Sequence, residues 1–236
     1  MRSPYGMELL ENCSACNLCS EGFFCHLPDP EMEAFRKIKF TLAHPAGAML
    51  FVEGQECRGI YILCKGWVKL SATSSDGQTL IIKIAKPGEV LGLNASICGT
   101  AHNLNAETGQ PCQLNFVRQA DFLQFLKEYG NACLQAATHL SFECQQSYHR
   151  LRSLAMHSAS ERIARLMLDL SDGDFGLVCT HGIKVVLTQE EIGQIIGMSR
   201  ETVSRTLAGL RQQHIAEIHD STLLVHDMPA LQGLAR

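Results

Sequence analysis

The chain has 236 residues, 46% of them hydrophobic, and this length allows two separate cores. Its net charge of −4 excludes a global basic field that would draw the whole chain onto nucleic acid. The N-terminus has no basic start followed by an apolar run, and no apolar stretch approaches bilayer-spanning length. We therefore expect a cytoplasmic protein of two domains that makes no contact with a membrane.

The first thirty residues form a cysteine-rich segment. It contains four of the eleven cysteines of the chain: Cys13, Cys16, Cys19 and Cys25. Clustered cysteines in a mid-sized chain without an export signal are more often metal ligands than disulfide partners. Close Cys-x-x-Cys pairs let two thiolates reach one metal group, and the spacing alone allows either an iron–sulfur cluster or zinc. Residues 1–30 are thus predicted to bind metal.

Residues 31–120 alternate short β-rich runs with glycine-bearing turns. The runs read MLFV, GIYILC, WVKLSAT and TLIIKIA. Turn signals every 8–12 residues between alternating apolar runs are typical of an antiparallel sandwich or roll. Asp76-Gly77 is a strong hairpin signal. We predict a β-roll here.

Residues 121–157 are nearly free of glycine and carry apolar residues at intervals of three, four or seven. These are Leu126, Cys133, Ala137, Leu140, Cys144, Leu151 and Leu154. This spacing predicts a long helix with an apolar seam that pairs with a second copy of itself or packs on its own β-domain.

Residues 158–236 carry the signals of a winged helix-turn-helix. Ser158 and Glu161 form a capping-box pattern, which starts one helix. Thr188 and Glu191 repeat that pattern, Gly197 permits a sharp turn, and Ser199 caps a second helix. The IKVVL and LLVHD runs on either side are predicted to form a small wing.

The second helix of this pair has a polar face suited to reading DNA. Val203, Leu207 and Leu210 are predicted to point inward, which leaves an outward set at the N-terminal end: Arg200, Glu201, Ser204 and Arg205. Arginine can bond guanine bidentately, glutamate can accept from the cytosine amino group, and serine can contact base or phosphate. From Ser158 onward there are seven Lys/Arg against ten Asp/Glu, which favours a narrow basic reading face over non-specific coating of DNA.

From about Cys13 onward, the chain resembles the CRP/FNR family of bacterial transcription regulators. Residues 199–205, SRETVSR, are similar to that family's recognition helix, and the order of the predicted elements is also similar. The resemblance implies an α+β fold with an N-terminal β-roll like a cyclic-nucleotide-binding domain, a long dimerisation helix and a C-terminal winged helix-turn-helix. It also implies a homodimer that binds an inverted repeat of double-stranded DNA, with half-sites resembling TTGAT, and that contacts RNA polymerase.

Within the family, the cysteine segment most resembles the FNR-type iron–sulfur oxygen sensors. The spacing from Cys16 through Cys19 to Cys25 matches their N-terminal ligands, and the segment ending at Cys112 resembles that of their remote fourth ligand. The resemblance implies a [4Fe–4S] cluster on Cys16, Cys19, Cys25 and Cys112, dismantled by oxygen or nitric oxide. Cys13 is interpreted as a spare thiol, although it leaves open a different ligand subset, and Cys98 is an alternative fourth ligand. The cysteines expected in the core are Cys57, Cys64, Cys98, Cys133, Cys144 and Cys179.

Two further expectations concern ligands and activity. Cyclic-nucleotide-binding relatives carry an arginine for the phosphate, whereas Val90 to Cys112 contains no arginine, so cyclic AMP is a poor candidate. Without a flavin or nucleotide fingerprint and a nucleophile-base pair, we expect no enzyme activity. If no cluster forms, zinc, a thiol switch or haem on His26, His44 or His102 remains open.

Overall fold

The computed structural model describes residues 4–7, 9, 22–25, 27–171, 176–179, 182–185, 187–219 and 222–235. Cys16 and Cys19, two of the expected metal ligands, lie outside the described residues, as do Cys13 and His26. Within the described part, no helix is long and apolar enough to cross a bilayer.

Two four-stranded antiparallel sheets form the predicted β-roll. The strands are β1 (Lys39–His44), β2 (Met49–Phe51), β3 (Gly59–Lys65), β4 (Val68–Thr73), β5 (Thr79–Ala85), β6 (Val90–Leu91), β7 (Asn105–Thr108) and β8 (Cys112–Arg118). One sheet has the order β1-β8-β3-β6 and the other the order β2-β7-β4-β5. The hairpin predicted at Asp76-Gly77 joins β4 to β5, and Gly77 has the positive φ of 84° that this turn requires.

The alternation of side chains along the strands creates two apolar clusters. In β8, Cys112 and Leu114 face the inner core, the cluster between the two sheets, which also contains Leu63. Val117 faces the opposite way, into the outer core, the cluster between the first sheet and the helices. The outer core includes Phe24, which precedes Cys25 directly. The two described cysteines among the expected ligands therefore adjoin different clusters.

The helices of this region differ in one respect from the prediction. They are α1 (Asp29–Ile38), α2 (Leu93–Cys98), α3 (Gln119–Glu128) and α4 (Gly130–Met156). The single helix expected over 121–157 is wrong, since Tyr129 is extended with φ −118° and ψ 103° and separates α3 from α4. Gly130 follows it, and glycine is unfavourable inside a helix. Phe122 and Phe125 bury α3 in the outer core.

The chain divides into two compact units, Met1–Gln145 and Gln146–Arg236, with the boundary inside α4. We call them the N-terminal unit and the C-terminal unit. Beyond α4, the C-terminal unit contains α5 (Ala159–Ser171), β9 (Gly176–Cys179), β10 (Gly182–Val185), α6 (Gln189–Ile196), α7 (Arg200–Gln212), β11 (Ala216–His219), β12 (Thr222–Val225) and α8 (Met228–Leu234). The predicted wing is confirmed, since β10 pairs with β12 inside a sheet of order β11-β12-β10-β9.

Candidate functional site

The helix-turn-helix of α6 and α7 is fixed by local capping bonds. The Thr188 hydroxyl accepts from the Glu191 N–H at 3.1 Å, and the Glu191 carboxylate accepts from the Thr188 N–H at 2.9 Å. Gly197 ends α6 in the left-handed region at φ 68°, and the Ser199 hydroxyl accepts from the Thr202 N–H at 3.3 Å. The predicted caps and turn are therefore confirmed.

The two faces of α7 are divided as the sequence predicts. Val203, Leu207 and Leu210 are buried. The four predicted DNA-contacting residues, Arg200, Glu201, Ser204 and Arg205, are all exposed. The Glu201 carboxylate accepts hydrogen bonds from its own backbone N–H and from the Ser199 side chain. These bonds lower the pKa of Glu201, so this side chain is a charged acceptor at neutral pH. This surface can offer cations, an anion and a hydroxyl to a DNA groove.

The segment from Gly22 to Cys25 lies against the turn between β5 and β6, which contains Gly88. Cys25 is half-buried, and the Phe23 N–H donates to the Gly88 carbonyl at 2.8 Å. A Cβ at Gly22 would lie 2.5 Å from the Cys25 sulfur and 3.3 Å from the Gly88 Cα, so glycine permits this close approach. The Gly88 N–H in turn donates to the Leu63 carbonyl near the end of β3 at 2.7 Å.

Cys112 is enclosed at the start of β8. It is 0% exposed, and its sulfur lies 3.1 Å from the Gln110 carbonyl and 3.3 Å from the Trp67 carbonyl. Burial raises the pKa of its thiol despite those two bonds, so the free thiol is protonated at neutral pH. A Cβ at Gly66 would lie 2.5 Å from this sulfur. Gly66 directly follows β3, so Cys112 borders the end of that strand.

The described cysteines fit a thiolate-bound metal in their chemistry, and the structure places them beside different apolar clusters, Cys25 next to the outer core and Cys112 in the inner core. A metal would displace the Cys112 proton, since only the thiolate is a ligand. A group as large as a cluster would also require the wall around the Cys112 sulfur to open. Within the described part of the chain, no three His, Cys, Asp or Glu side chains form a group that could hold a metal ion.

The remaining cysteines only partly follow the expectation that they lie in the core. Cys57 is buried and Cys64 is half-buried. Cys98, Cys133 and Cys144 are exposed, because they lie on the outward sides of α2 and α4. The Cys98 sulfur lies 3.4 Å from the Asn94 carboxamide oxygen. The side chain of Cys179 lies outside the described residues.

The segment that carries Cys25 contacts α4 through Phe23. The rings of Phe23 and His139 meet edge to face with centroids 4.8 Å apart. The His139 Nε2 lies 3.5 Å from the Glu143 Oε1. The Lys83 Nζ forms salt bridges with the Glu143 Oε1 at 3.3 Å and with the Glu89 Oε2 at 3.2 Å. Burial alone would raise the pKa of Glu143, but the nearby His139 and the Lys83 charge outweigh it and lower that pKa. An aromatic contact and an ionic network thus connect the Cys25 segment, the Gly88 turn and α4.

The exposed apolar stripe on α4 keeps Ala137, Cys144 and Leu151 of the predicted seam and differs from it at the other positions. Leu126 and Leu140 instead pack against the outer core. The outward positions that repeat at three and four residues are Leu134, Ala137, Ser141, Cys144, Tyr148 and Leu151. Leu134, Tyr148 and Leu151 are 66%, 68% and 66% exposed, respectively, and they lie along one side of the helix. We call these six residues the α4 stripe, and its spacing is that of a two-stranded coiled coil.

The segment from Val90 to Cys112, where nucleotide-binding relatives carry their phosphate-binding arginine, supplies no cation. His102 is buried and stacks on Phe51 with ring centroids 3.8 Å apart. Burial lowers the pKa of His102, so its imidazole is neutral at physiological pH. Val90 to Cys112 contains neither arginine nor lysine. A cyclic phosphate here would find no positive side chain from this segment.

Sequence reasoning missed two arginines that contact the end of α6. Arg150 and Arg162 donate to the carbonyls of Ile195 and Ile196, respectively. Arg150 is half-buried. Its acceptor lies 45 residues away in the chain, and no local signal indicates such a contact.

Both units match known families. Residues 41–129 match the family described as cyclic nucleotide-binding domain, and residues 161–234 match the family described as Crp-like helix-turn-helix domain. The chain is 26% identical over 200 residues to the cAMP-activated global transcriptional regulator CRP of Pasteurella multocida, covering 84% of this chain and 95% of the relative. It is 28% identical over 181 residues to the global nitrogen regulator of a Nostoc species, covering 75% and 81%.

Solved structures share the same architecture. FixK2 from Bradyrhizobium japonicum matches with a TM-score of 0.74 at 20% identity, over 84% of this chain and 98% of that chain. The c-di-GMP responsive global regulator CLP of Xanthomonas campestris matches with a TM-score of 0.76 at 19% identity, over 84% and 99%. These matches confirm the predicted fold of β-roll, long helix and helix-turn-helix domain.

Proposed function

The chain belongs to the CRP/FNR family of transcription regulators, and from this premise we propose that a [4Fe–4S] cluster sensing oxygen or nitric oxide controls its dimerisation and DNA binding. As a member of that family the protein is a DNA-binding regulator and not an enzyme. The proposal adds the effector, its ligands and the route by which it acts.

Four cysteines would hold the cluster: Cys16, Cys19, Cys25 and Cys112. When bound, such a group supplies reactivity toward oxygen and nitric oxide. Cys25 and Cys112 are both free cysteines, and thiolates are the ligands that iron–sulfur clusters take. Cys112 would release its proton on binding, and the carbonyls of Trp67 and Gln110 would lose their bonds to its sulfur.

The observation that carries the proposal is the contact between Phe23 and His139. Phe23 lies two residues before Cys25, and His139 lies on α4. Ligation that moves Cys25 would therefore move a side chain packed on α4. The α4 stripe lies on the exposed side of the same helix, so the packing of this helix can respond to the cysteine segment.

On DNA, we propose that two copies of α7 read an inverted repeat. Glu201, Ser204 and Arg205 would read half-sites that resemble TTGAT, and Arg200 would contact an outer guanine. The exposure of all four side chains supports this assignment. The α4 stripe supports a homodimer, which a two-fold site requires. Contact with RNA polymerase is proposed on family membership alone.

The effector is proposed not to be a cyclic nucleotide, although the β-roll matches that domain family. The absence of lysine and arginine from Val90 to Cys112 and the buried, neutral His102 support this. A zinc or thiol-switch site is the second candidate. The enclosure of the Cys112 sulfur favours it, since one ion needs less space than a cluster.

The test compares Cys112→Ser with Cys98→Ser, an exposed cysteine, as matched control. DNA affinity is measured anaerobically and after exposure to air by fluorescence anisotropy. We expect the wild type and Cys98→Ser to bind tightly only without oxygen, and Cys112→Ser to lose that difference. Full oxygen response in Cys112→Ser would refute its role, and loss of response only in Cys98→Ser would move the fourth ligand there.

A further inference from the structure

We infer that Arg150 and Arg162 are positioning residues for DNA reading, which hold the end of α6 against the end of α4 and so set where α7 lies. Both arginines and the carbonyls that they bond, those of Leu154, His157, Ile195 and Ile196, belong to the C-terminal unit. The inference rests on DNA binding by the family and is independent of the proposed cluster.

Arg162 joins the ends of two helices. Its Nη1 donates to the Ile196 carbonyl of α6 at 2.8 Å. Its Nη2 donates to the Leu154 carbonyl of α4 at 2.6 Å, and its Nε donates to the His157 carbonyl at 2.9 Å. Arg150 adds a second contact from α4, since its Nη2 donates to the Ile195 carbonyl at 2.5 Å.

These carbonyls are the groups that a helix end leaves without partners. The last four carbonyls of an α-helix have no N–H partner within the helix. The helix dipole also gives the C-terminal end a partial negative charge. A guanidinium presents several donors in a fixed plane, so Arg162 can serve both helix ends at once. A lysine carries all its donors on one nitrogen, so it is less suited to bond carbonyls of two helices at the same time.

The position of α6 is transmitted to α7 by a tight turn. The Met198 N–H donates to the Gly193 carbonyl at 2.9 Å, and a Cβ at Gly193 would lie 2.6 Å from the Met198 carbonyl oxygen. Ser199 then caps α7 directly. Because this turn leaves little freedom, contacts that fix the end of α6 also fix the start of α7.

Both arginines are distinct from the reading surface. They are half-buried, whereas Arg200 and Arg205 on α7 are exposed. Burial lowers the pKa of Arg150, yet a guanidinium stays charged at neutral pH. Arg152 is an exposed arginine on the same helix as Arg150, and it provides a matched control.

The orientation of α7 affects DNA affinity because a dimer must place its two recognition helices one DNA turn, about 34 Å, apart. A change in the tilt of α6 relative to the end of α4 shifts each α7 out of register with its half-site. Non-specific binding does not require that register, since it depends mainly on charge near phosphates.

The experiment measures the affinity of Arg150→Ala, Arg162→Ala, Arg162→Lys and Arg152→Ala for two duplexes. One duplex is selected from random sequence by the wild-type protein, and the other is scrambled. Anisotropy is recorded anaerobically over a range of salt, with circular dichroism to check folding and light scattering to check dimerisation. Wild-type protein that selects no duplex would contradict DNA binding itself and not only the role of these arginines.

We expect Arg162→Ala and Arg150→Ala to bind the selected duplex about tenfold to a hundredfold more weakly, with unchanged affinity for the scrambled duplex. Arg162→Lys should recover part of the loss. The salt slope should stay at the wild-type value, because neither side chain contacts phosphate. If Arg162→Ala does not fold, Arg150→Ala and Arg162→Lys decide the question. Equal affinities for Arg152→Ala and these variants, or a salt slope reduced by about one, would overturn the inference.

Discussion

The ring of Phe23 packs edge to face on the ring of His139, with centroids 4.8 Å apart, and joins the cysteine segment to α4. Phe23 is also tied to the roll through its N–H, which donates to the Gly88 carbonyl. A displacement of Cys25 therefore has a direct physical route to the helix that carries the α4 stripe.

Phe23→Ala should separate metal binding from the response of the dimer. Removal of the ring leaves the cysteines in place, so iron content should stay at the wild-type level, while the oxygen-dependent change in dimerisation should shrink. Iron analysis and light scattering measure the two effects. Phe40→Ala removes a partly exposed ring on β1 and should change neither quantity. A full dimerisation response in Phe23→Ala would contradict this route.

Glu143→Gln should change how stability depends on pH. Because the pKa of Glu143 is lowered in the folded chain, its carboxylate stabilises the fold above the unfolded pKa of about 4.5. That contribution is lost as the pH falls through the lowered folded value. The wild type should thus lose more stability than Glu143→Gln between about pH 5 and pH 3, as measured by urea unfolding. Glu33→Gln, at an exposed position on α1, should follow the wild type.

Leu151→Glu should weaken the dimer. Leu151 is 66% exposed in the single chain and belongs to the α4 stripe, so a charge there would be buried on pairing without a partner. Sedimentation should report monomer for Leu151→Glu and dimer for Gln146→Glu, a change at an exposed position of α4 outside the stripe. Dimer in both variants would place the interface elsewhere.

Arg205→Ala should relax specificity at one G·C pair. A bidentate arginine–guanine contact contributes about 1–3 kcal/mol of discrimination, so the variant should lose about that much at one position of each half-site. Competition binding against single-base variants of the selected site would locate the position. Weakening that is uniform across all sequences would identify Arg205 as a phosphate contact instead.

The helix-turn-helix was predictable because its signals are local. Thr188 and Ser199 each accept a capping hydrogen bond from the backbone N–H three residues later in the chain, so the sequence spacing determines the geometry. The strands of the roll were predictable for the same reason, from alternation and turn residues.

Long-range features were not accessible in this way. Which side of α4 packs on the roll depends on contacts such as that of Leu140 with the outer core, so Leu140 was wrongly placed in the predicted seam. The role of Arg162 depends on a carbonyl 34 residues away. The Cys112 sulfur contacts the Trp67 carbonyl, which lies 45 residues away in sequence, so local spacing does not reveal that this sulfur is enclosed.

The most direct test of the proposed effector is the iron and acid-labile sulfide content of anaerobically purified protein, with the visible spectrum followed as air is admitted. We expect about four iron and four sulfide per chain and a brown colour that bleaches in air. Colourless protein that contains zinc or no metal would contradict the cluster and leave a CRP/FNR regulator controlled by another effector.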